Sequence, residues 1–171
     1  IVPPFTYSRE FPLSKNDSFE DRNGILFVGG FKHKPNYWAI RWFVDKIWDI
    51  IKQKLLNVEF YIVGSEIPED IRLLSQKDIT IKTLGFIPDE ELEKLYDKVK
   101  IVVAPLTFGA GIKGKIIESV AHGVPVVTTP IGAEGIEDAH KIMLIRNNEE
   151  EFANAVFSLY TNEGLWMKLR T

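Results

Sequence analysis

Short apolar runs recur along the chain, and most are followed by a stretch in which apolar positions repeat at helical spacing. The runs are ILFVG (25–29), VEFYIVG (58–64), ITIKTLG (79–85), KIVVAP (100–105), PVVTT (125–129) and IMLI (142–145). Their length and β-branched content predict six strands. The clearest helical pattern covers 35–55, where Ala39, Trp42, Phe43, Ile47, Ile50 and Ile51 share a face opposite Arg41, Asp45, Asp49 and Lys52, with Pro35 in the first turn. Further helices are expected at 69–75, at 89–97 with acidic residues in the first turn, at 114–122 closed by Gly123, and at 149–160. A helix-like stretch covers 164–169. Strand and helix alternate, and several strands are apolar on both faces. The pattern therefore predicts an α/β domain: a mostly parallel six-stranded sheet, doubly wound, with helices on both faces and right-handed crossovers.

In such sheets ligands bind beyond the carboxyl ends of the strands, where strand order reverses. The first and fourth strands are expected to flank that point. They are followed by Gly29-Gly30-Phe31-Lys32 and by residues 106–115. The second of these opens the run FGAGIKGKIIESVAHGVPVV (108–127), which places Gly109, Gly111 and Gly114 with Lys113 and Lys115 at a helix entry. Glycines there let the backbone approach a ligand, and free helix N–H groups and lysines attract anions. A diphosphate fits that chemistry, and Glu118 can accept hydrogen bonds from a ribose diol. The competing reading is a flexible turn with a surface pair between Lys115 and Glu118. The segment is not a P-loop, because no Gly-Lys-Ser/Thr follows four variable residues after a glycine.

Other positions read both ways. Gly29-Gly30, with Lys32, His33 and Lys34, can receive phosphate or form a solvated turn. Gly64-Ser65 can face a ligand or turn the chain. Gly85-Phe86-Ile87-Pro88 is a turn before an acidic helix start or a wall beside a base. His33, His122 and His140 lack metal-ligand spacing, so no metal site is expected, and Ser65 and Ser119 lack a nucleophile-elbow context. The four tryptophans fit core or partner packing better than a cofactor site.

Composition narrows the classes. A chain of 171 residues, 45% apolar, supports one sizeable core, and a net charge of −3 argues against nucleic acid as a partner. The absence of cysteine removes disulfides and thiolate chemistry and suits a reducing compartment. No transmembrane run or signal peptide is present in the sequence, so a soluble, cytoplasmic protein is expected. Residues 1–23, rich in Pro, Ser and charge, read as a linker lying on the domain, and both ends look cut, which predicts a piece of a longer protein.

Four blocks, FVGG…PN..A…F near 27–43, VEFYIVGS (58–65), LGFIPDEELEKLYDKVKIVVAPL (84–106) and FGAGIKGKIIESVAHGVPVVTTPIGAEGI (108–136), resemble the C-terminal, donor-binding half of retaining GT-B glycosyltransferases of family 4, or group 1. The resemblance covers about 24–160 and implies a Rossmann-like domain at 24–171 that binds a nucleotide sugar such as a UDP or GDP sugar. It implies residues 1–23 as an interdomain connection, and an acceptor-binding N-terminal domain absent from this sequence. Without that domain the chain is expected to bind nucleotide and transfer nothing, and any contact with the inner face of a membrane belongs to the missing half. No cofactor or metal is implied.

By the same resemblance, Glu118 matches the glutamate that holds the ribose, while the glutamate that contacts the donor sugar is replaced by Ala110. The arginine and lysine that grip the diphosphate after the first strand align near Gly30 and Asn36 and are missing. Lys113 and Lys115 compensate, with Lys32 or Lys34 as further candidates. Phe86 and Ile87 match the turn beside the base, and the amides of Gly109, Ala110, Gly111, Ile112 and Lys113 face the diphosphate or sugar. No catalytic base is named. The rival functions are a non-catalytic nucleotide or nucleotide-sugar binding module of the same fold, a nucleotide-sugar epimerase, and a flavodoxin-like signalling domain, which lacks its acidic cluster here.

Overall fold

A computed structural model describes residues 18–170. All six expected strands form: β1 (Ile25–Val28), β2 (Phe60–Val63), β3 (Ile81–Gly85), β4 (Ile101–Ala104), β5 (Val126–Thr128) and β6 (Met143–Ile145). They pair in parallel in the order β3-β2-β1-β4-β5-β6. The order reverses between β1 and β4, as the strand–helix alternation predicts.

The helices are α1 (Lys34–Trp42), α2 (Trp48–Lys54), α3 (Glu69–Arg72), α4 (Leu74–Lys77), α5 (Asp89–Lys98), α6 (Gly114–Ala121), α7 (Ala139–Ile142), α8 (Glu149–Thr161) and α9 (Glu163–Lys168). Alternate strand residues point to opposite faces, and both faces are apolar. On one, Ile25, Phe27, Phe60, Ile62, Ile101 and Val103 pack with residues of α1, α2, α8 and α9. On the other, Leu26, Tyr61, Val63, Val102 and Val126 pack with Leu92 and Tyr96 of α5 and Ile116 of α6.

Three local expectations are revised. The helix expected over 35–55 is interrupted by a π turn, Phe43–Ile47, between α1 and α2. The wider turn re-phases the apolar stripe, so that Phe43, Ile47, Trp48 and Ile51 all reach the core while Trp42 and Ile50 lie at its edge. The Phe43 ring centres 4.7 Å from Phe60 and 5.9 Å from Trp48. The single helix expected at 69–75 is two short turns, α3 and α4, joined through Leu73. Ile142, expected in the last strand, closes α7, and the strand begins one residue later. The stop at Gly123 forms as expected: its φ is +69°, and Val124 N–H returns to Ser119 O at 3.1 Å.

Of the stretch read as a linker, residues 1–17 lie outside the described residues. Residues 18–23 are built into the domain more tightly than a surface connection. Phe19 is buried edge-on against Trp166 at 5.4 Å, and the buried Arg22 guanidinium donates to the carbonyls of Tyr96 at 2.7 Å and Val99 at 3.0 Å. Those carbonyls end α5, so the cation satisfies groups the helix leaves open.

Asp78 ties α2 to the start of β3. Its carboxylate accepts from Lys52 Nζ at 2.6 Å, Trp48 Nε1 at 3.2 Å and Thr80 N–H at 2.9 Å. Burial alone raises its pKa, but the hydrogen bonds from Lys52 and Thr80 outweigh that and hold it at about 2 against an ordinary 3.8. A carboxyl depressed in the folded state lends its stability in full above the unfolded value and loses it as pH falls through the folded value. Asp78→Asn is therefore expected to cost on the order of 2 kcal/mol at neutral pH. In denaturant titrations the variant should lose less stability than the parent between about pH 4 and pH 2.

Candidate functional site

β1 and β4 lie side by side, yet α1 follows β1 onto one face and α6 follows β4 onto the other. Their connecting loops diverge and leave a crevice of about 330 Å³ at the carboxyl edge of the sheet. Gly29 and Gly30 form one wall, with His33 and Asn36; Ala110, Ile112, Lys113, Gly114 and Lys115 form the other.

The first wall is set by a side chain. Asn36 Nδ2 donates to Gly30 O at 2.7 Å, closing the turn between β1 and α1. A Cβ on Gly29 would lie 2.8 Å from that carboxamide, so the glycine makes room for the brace. The second wall is a loop with two residues in the left-handed region, Gly109 at φ +123° and Gly111 at φ +84°. A Cβ on Gly109 would touch Pro35 at 3.4 Å, whereas one on Gly111 would meet nothing. After the loop, Lys113 stands at the N-cap of α6 in extended geometry, and the first amides of the helix have no intrahelical acceptor.

A third segment supports the second wall from behind. Thr129 Oγ1 donates to Leu106 O and accepts from Gly132 N–H at 3.2 Å, fixing the turn after β5. That turn presses Gly135 (φ +76°) so close to Ile112 that a Cβ would come within 2.9 Å of it. Glu134 lies 3.9 Å from Lys113 Nζ, which also donates to Gly111 O. The Lys113 side chain is only 12% exposed, so its charge is held at the crevice. Lys115 is more open and pairs with Glu118 at 2.8 Å. The far face of α6 is packed through His122, whose ring stacks on Tyr96 at 4.4 Å; burial lowers the His122 pKa and raises that of Tyr96.

Gly29, Gly30, Ala110, Ile112, Lys113 and Lys115 thus line one crevice. Ala110 contributes a methyl group where the sequence comparison expects a carboxylate. Glu118 sits a turn along α6, outside the lining but joined to it through Lys115. Lys32 is exposed on the turn and Lys34 on the first turn of α1, and neither lines the crevice. Gly64 and Phe86 border a neighbouring hollow of about 320 Å³ between the ends of β2 and β3. Phe86 is 77% exposed there, and Ile87 packs against the second core cluster. Gly64 has a packing reason of its own: a Cβ would fall 1.9 Å from Gly29 O. Sequence reasoning missed the part played by Asn36, a local brace of the turn six residues after Gly30, and that of Glu134, which meets Lys113 through a tertiary contact that sequence spacing does not encode. Among the described residues no group of three His, Asp or Glu is placed to hold a metal ion.

Residues 22–162 match the family described as "Glycosyl transferases group 1". The chain belongs to the group 1 glycosyltransferases. Two curated relatives are each 28% identical to it: an "Uncharacterized 44.6 kDa protein in cps region" of Klebsiella pneumoniae, over 95% of this chain, and a Campylobacter jejuni GalNAc-alpha-(1->4)-GalNAc-alpha-(1->3)-diNAcBac-PP-undecaprenol alpha-1,4-N-acetyl-D-galactosaminyltransferase, over 88%. This chain spans 41% of each of them. Among solved structures, a TarM variant from S. aureus in complex with fondaparinux, alpha-GlcNAc-glycerol and UDP superposes with a TM-score of 0.75 at 18% identity, over 95% of this chain and 33% of that one. The fold is therefore the Rossmann-like half of a GT-B glycosyltransferase. Among the described residues no helix is long and apolar enough to cross a membrane.

Two glycines of this group 1 domain separate steric from conformational constraint. Gly64→Ala, at an ordinary φ but against a backbone oxygen, is expected to cost more than about 3 kcal/mol. Gly111→Ala, at positive φ in open space, should cost only about 1 kcal/mol. Equal losses in denaturant melts of the two variants would contradict this assignment.

Proposed function

We propose that this chain is the donor-binding half of a retaining group 1 glycosyltransferase, and that the crevice between β1 and β4 holds the diphosphate of a nucleotide sugar. The observation that carries the reading is the pairing of a partly buried cation, Lys113, with a glycine loop and the open amides of α6 at the point where strand order reverses. Lys115 adds a second cation at the rim. Glu118, a turn further, takes the ribose diol once Lys115 turns from it to phosphate. The hollow beside Phe86 and Ile87 takes the base. UDP is the first nucleotide to test, because the TarM structure holds it.

In this mechanism the chain's own groups act on the leaving diphosphate. Charge grows on the departing phosphate oxygen as the bond to the anomeric carbon breaks; Lys113 and the loop amides stand beside that charge in advance, and Lys115 joins them on leaving Glu118. No resident cofactor is assigned to this half. Retention, the acceptor and a cytoplasmic site of action, with membrane contact through the other half, complete the proposal for the whole protein. The methyl group of Ala110 favours a second reading, a nucleotide-binding module that transfers nothing. The parent protein decides between them: release or transfer of sugar from a panel of nucleotide sugars supports the enzyme, while UDP binding with no donor turned over supports the module.

The division of labour is testable by calorimetry on this chain with UDP and uridine. Lys113→Ala should weaken UDP about tenfold and leave uridine unchanged. Glu118→Ala should weaken both ligands without lowering the melting temperature. Equal UDP affinity in Lys113→Ala and the parent would remove the phosphate role.

A further inference from the structure

The two walls of the crevice are unequally charged. The β4 wall carries Lys113 and Lys115, while the β1 wall offers the backbone of Gly29 and Gly30, the Asn36 carboxamide and, among the described residues, one ionisable side chain, His33. The nucleotide reading makes no use of that imidazole. Lys32 and Lys34, its neighbours in sequence, do not line the crevice. A diphosphate bound between the walls carries charge toward both, and on the β1 side His33 is the group that can become cationic to meet it.

The His33 backbone is pinned. Its N–H donates to Gly30 O at 3.3 Å and its carbonyl accepts from Asn36 N–H at 3.0 Å, within the turn that Asn36 Nδ2 closes on Gly30 O at 2.7 Å. The residue therefore has a fixed place on the wall, at the N-cap of α1 with φ −84° and ψ 106°. Its side chain does nothing for the helix. It makes no cap hydrogen bond, and that position ordinarily favours Ser, Thr, Asp or Asn. The exposed ring makes no side-chain hydrogen bond, ion pair or ring contact among the described residues, so its nitrogens are available to a ligand.

The charges around it favour an anion. Among the described residues no carboxylate lines the crevice. The acids near it are engaged by the opposite lysines: Glu134 stands 3.9 Å from Lys113 Nζ, and Glu118 stands 2.8 Å from Lys115 Nζ. Without a ligand, an imidazolium on the β1 wall shares the crevice with two ammonium groups. A diphosphate reverses that balance, and by linkage protonation then strengthens ligand binding. We propose that His33 is a phosphate-binding residue of this site, donating from its imidazolium to the diphosphate opposite Lys113, so that a nucleotide sugar binds together with a proton. The inference rests on the donor reading of the crevice.

Imidazole changes charge between about pH 5 and pH 8, where lysine does not. A phosphate monoester titrates there too, with a second pKa of about 6, but the diphosphate of a nucleotide sugar is esterified at both ends and stays ionised. The test is therefore calorimetry of this chain with UDP-glucose and with GDP-mannose, from about pH 8 to about pH 5.5. At least one of them should bind about fivefold more tightly at the acid end, and its heat of binding should vary with the ionisation enthalpy of the buffer as a proton is taken up. His33→Gln should lose the gain. His33→Lys, with a fixed charge, should hold the tighter affinity at both ends, and His140→Gln, on α7 outside the crevice, should keep the parent's profile. A flat or reversed profile in the parent, or a gain that survives in His33→Gln, overturns the inference and leaves the donor reading standing. No binding of either nucleotide sugar at any pH removes the donor reading, and this inference with it.

Discussion

Two neighbouring parallel strands cannot send their chains to opposite faces of a sheet without leaving a gap between the departing loops. β1 leads into α1 on one face and β4 leads into α6 on the other, and the crevice is the space between those departures. Everything assigned to the site depends on that reversal. It aims the first turn of α6 across the strand ends, and it brings two chain segments far apart in sequence, at Gly29 and at Ala110, to face one another.

The walls of the gap are kept open and rigid by unequal means. On the β1 side a carboxamide, Asn36, fills the space a side chain on Gly29 would need. On the β4 side the loop relies on a second loop behind it, through Thr129, Gly135 and Glu134. The glycines therefore serve different ends: Gly64 and Gly29 permit close packing, while Gly109 and Gly111 permit left-handed backbone. Cation placement follows the same logic. Lys113 is held down against Gly111 O, so its charge is positioned before any ligand arrives, and little ordering remains to be done on binding.

Much of this was legible in the sequence. The six apolar runs gave the strands, because burial on both faces makes each of them continuously apolar, and the alternation with helices gave the parallel order. The glycine–lysine loop could be placed at the reversal for the same reason. What could not be read were events decided by contacts between distant residues. The π turn at 43–47 depends on fitting Trp48, Phe60 and Phe152 around Phe43, and no local propensity encodes it. The burial of Phe19 and Arg22 depends on α9 and on the end of α5, so a segment polar by composition gave no sign of it. The tryptophans divide in the same way. Trp48 and Trp166 are core, as their helical setting suggested, but Trp38 is exposed and braced. Only the folded arrangement distinguishes them.

The central claim is that a nucleoside diphosphate lies across the ends of β1 and β4. Backbone amide shifts of the chain, recorded with and without UDP, test it most directly. The account predicts the largest changes at Gly29 and Gly30 and at residues 109–115, two stretches joined only by the fold. Changes confined to one stretch, or centred on another part of the domain, would contradict it.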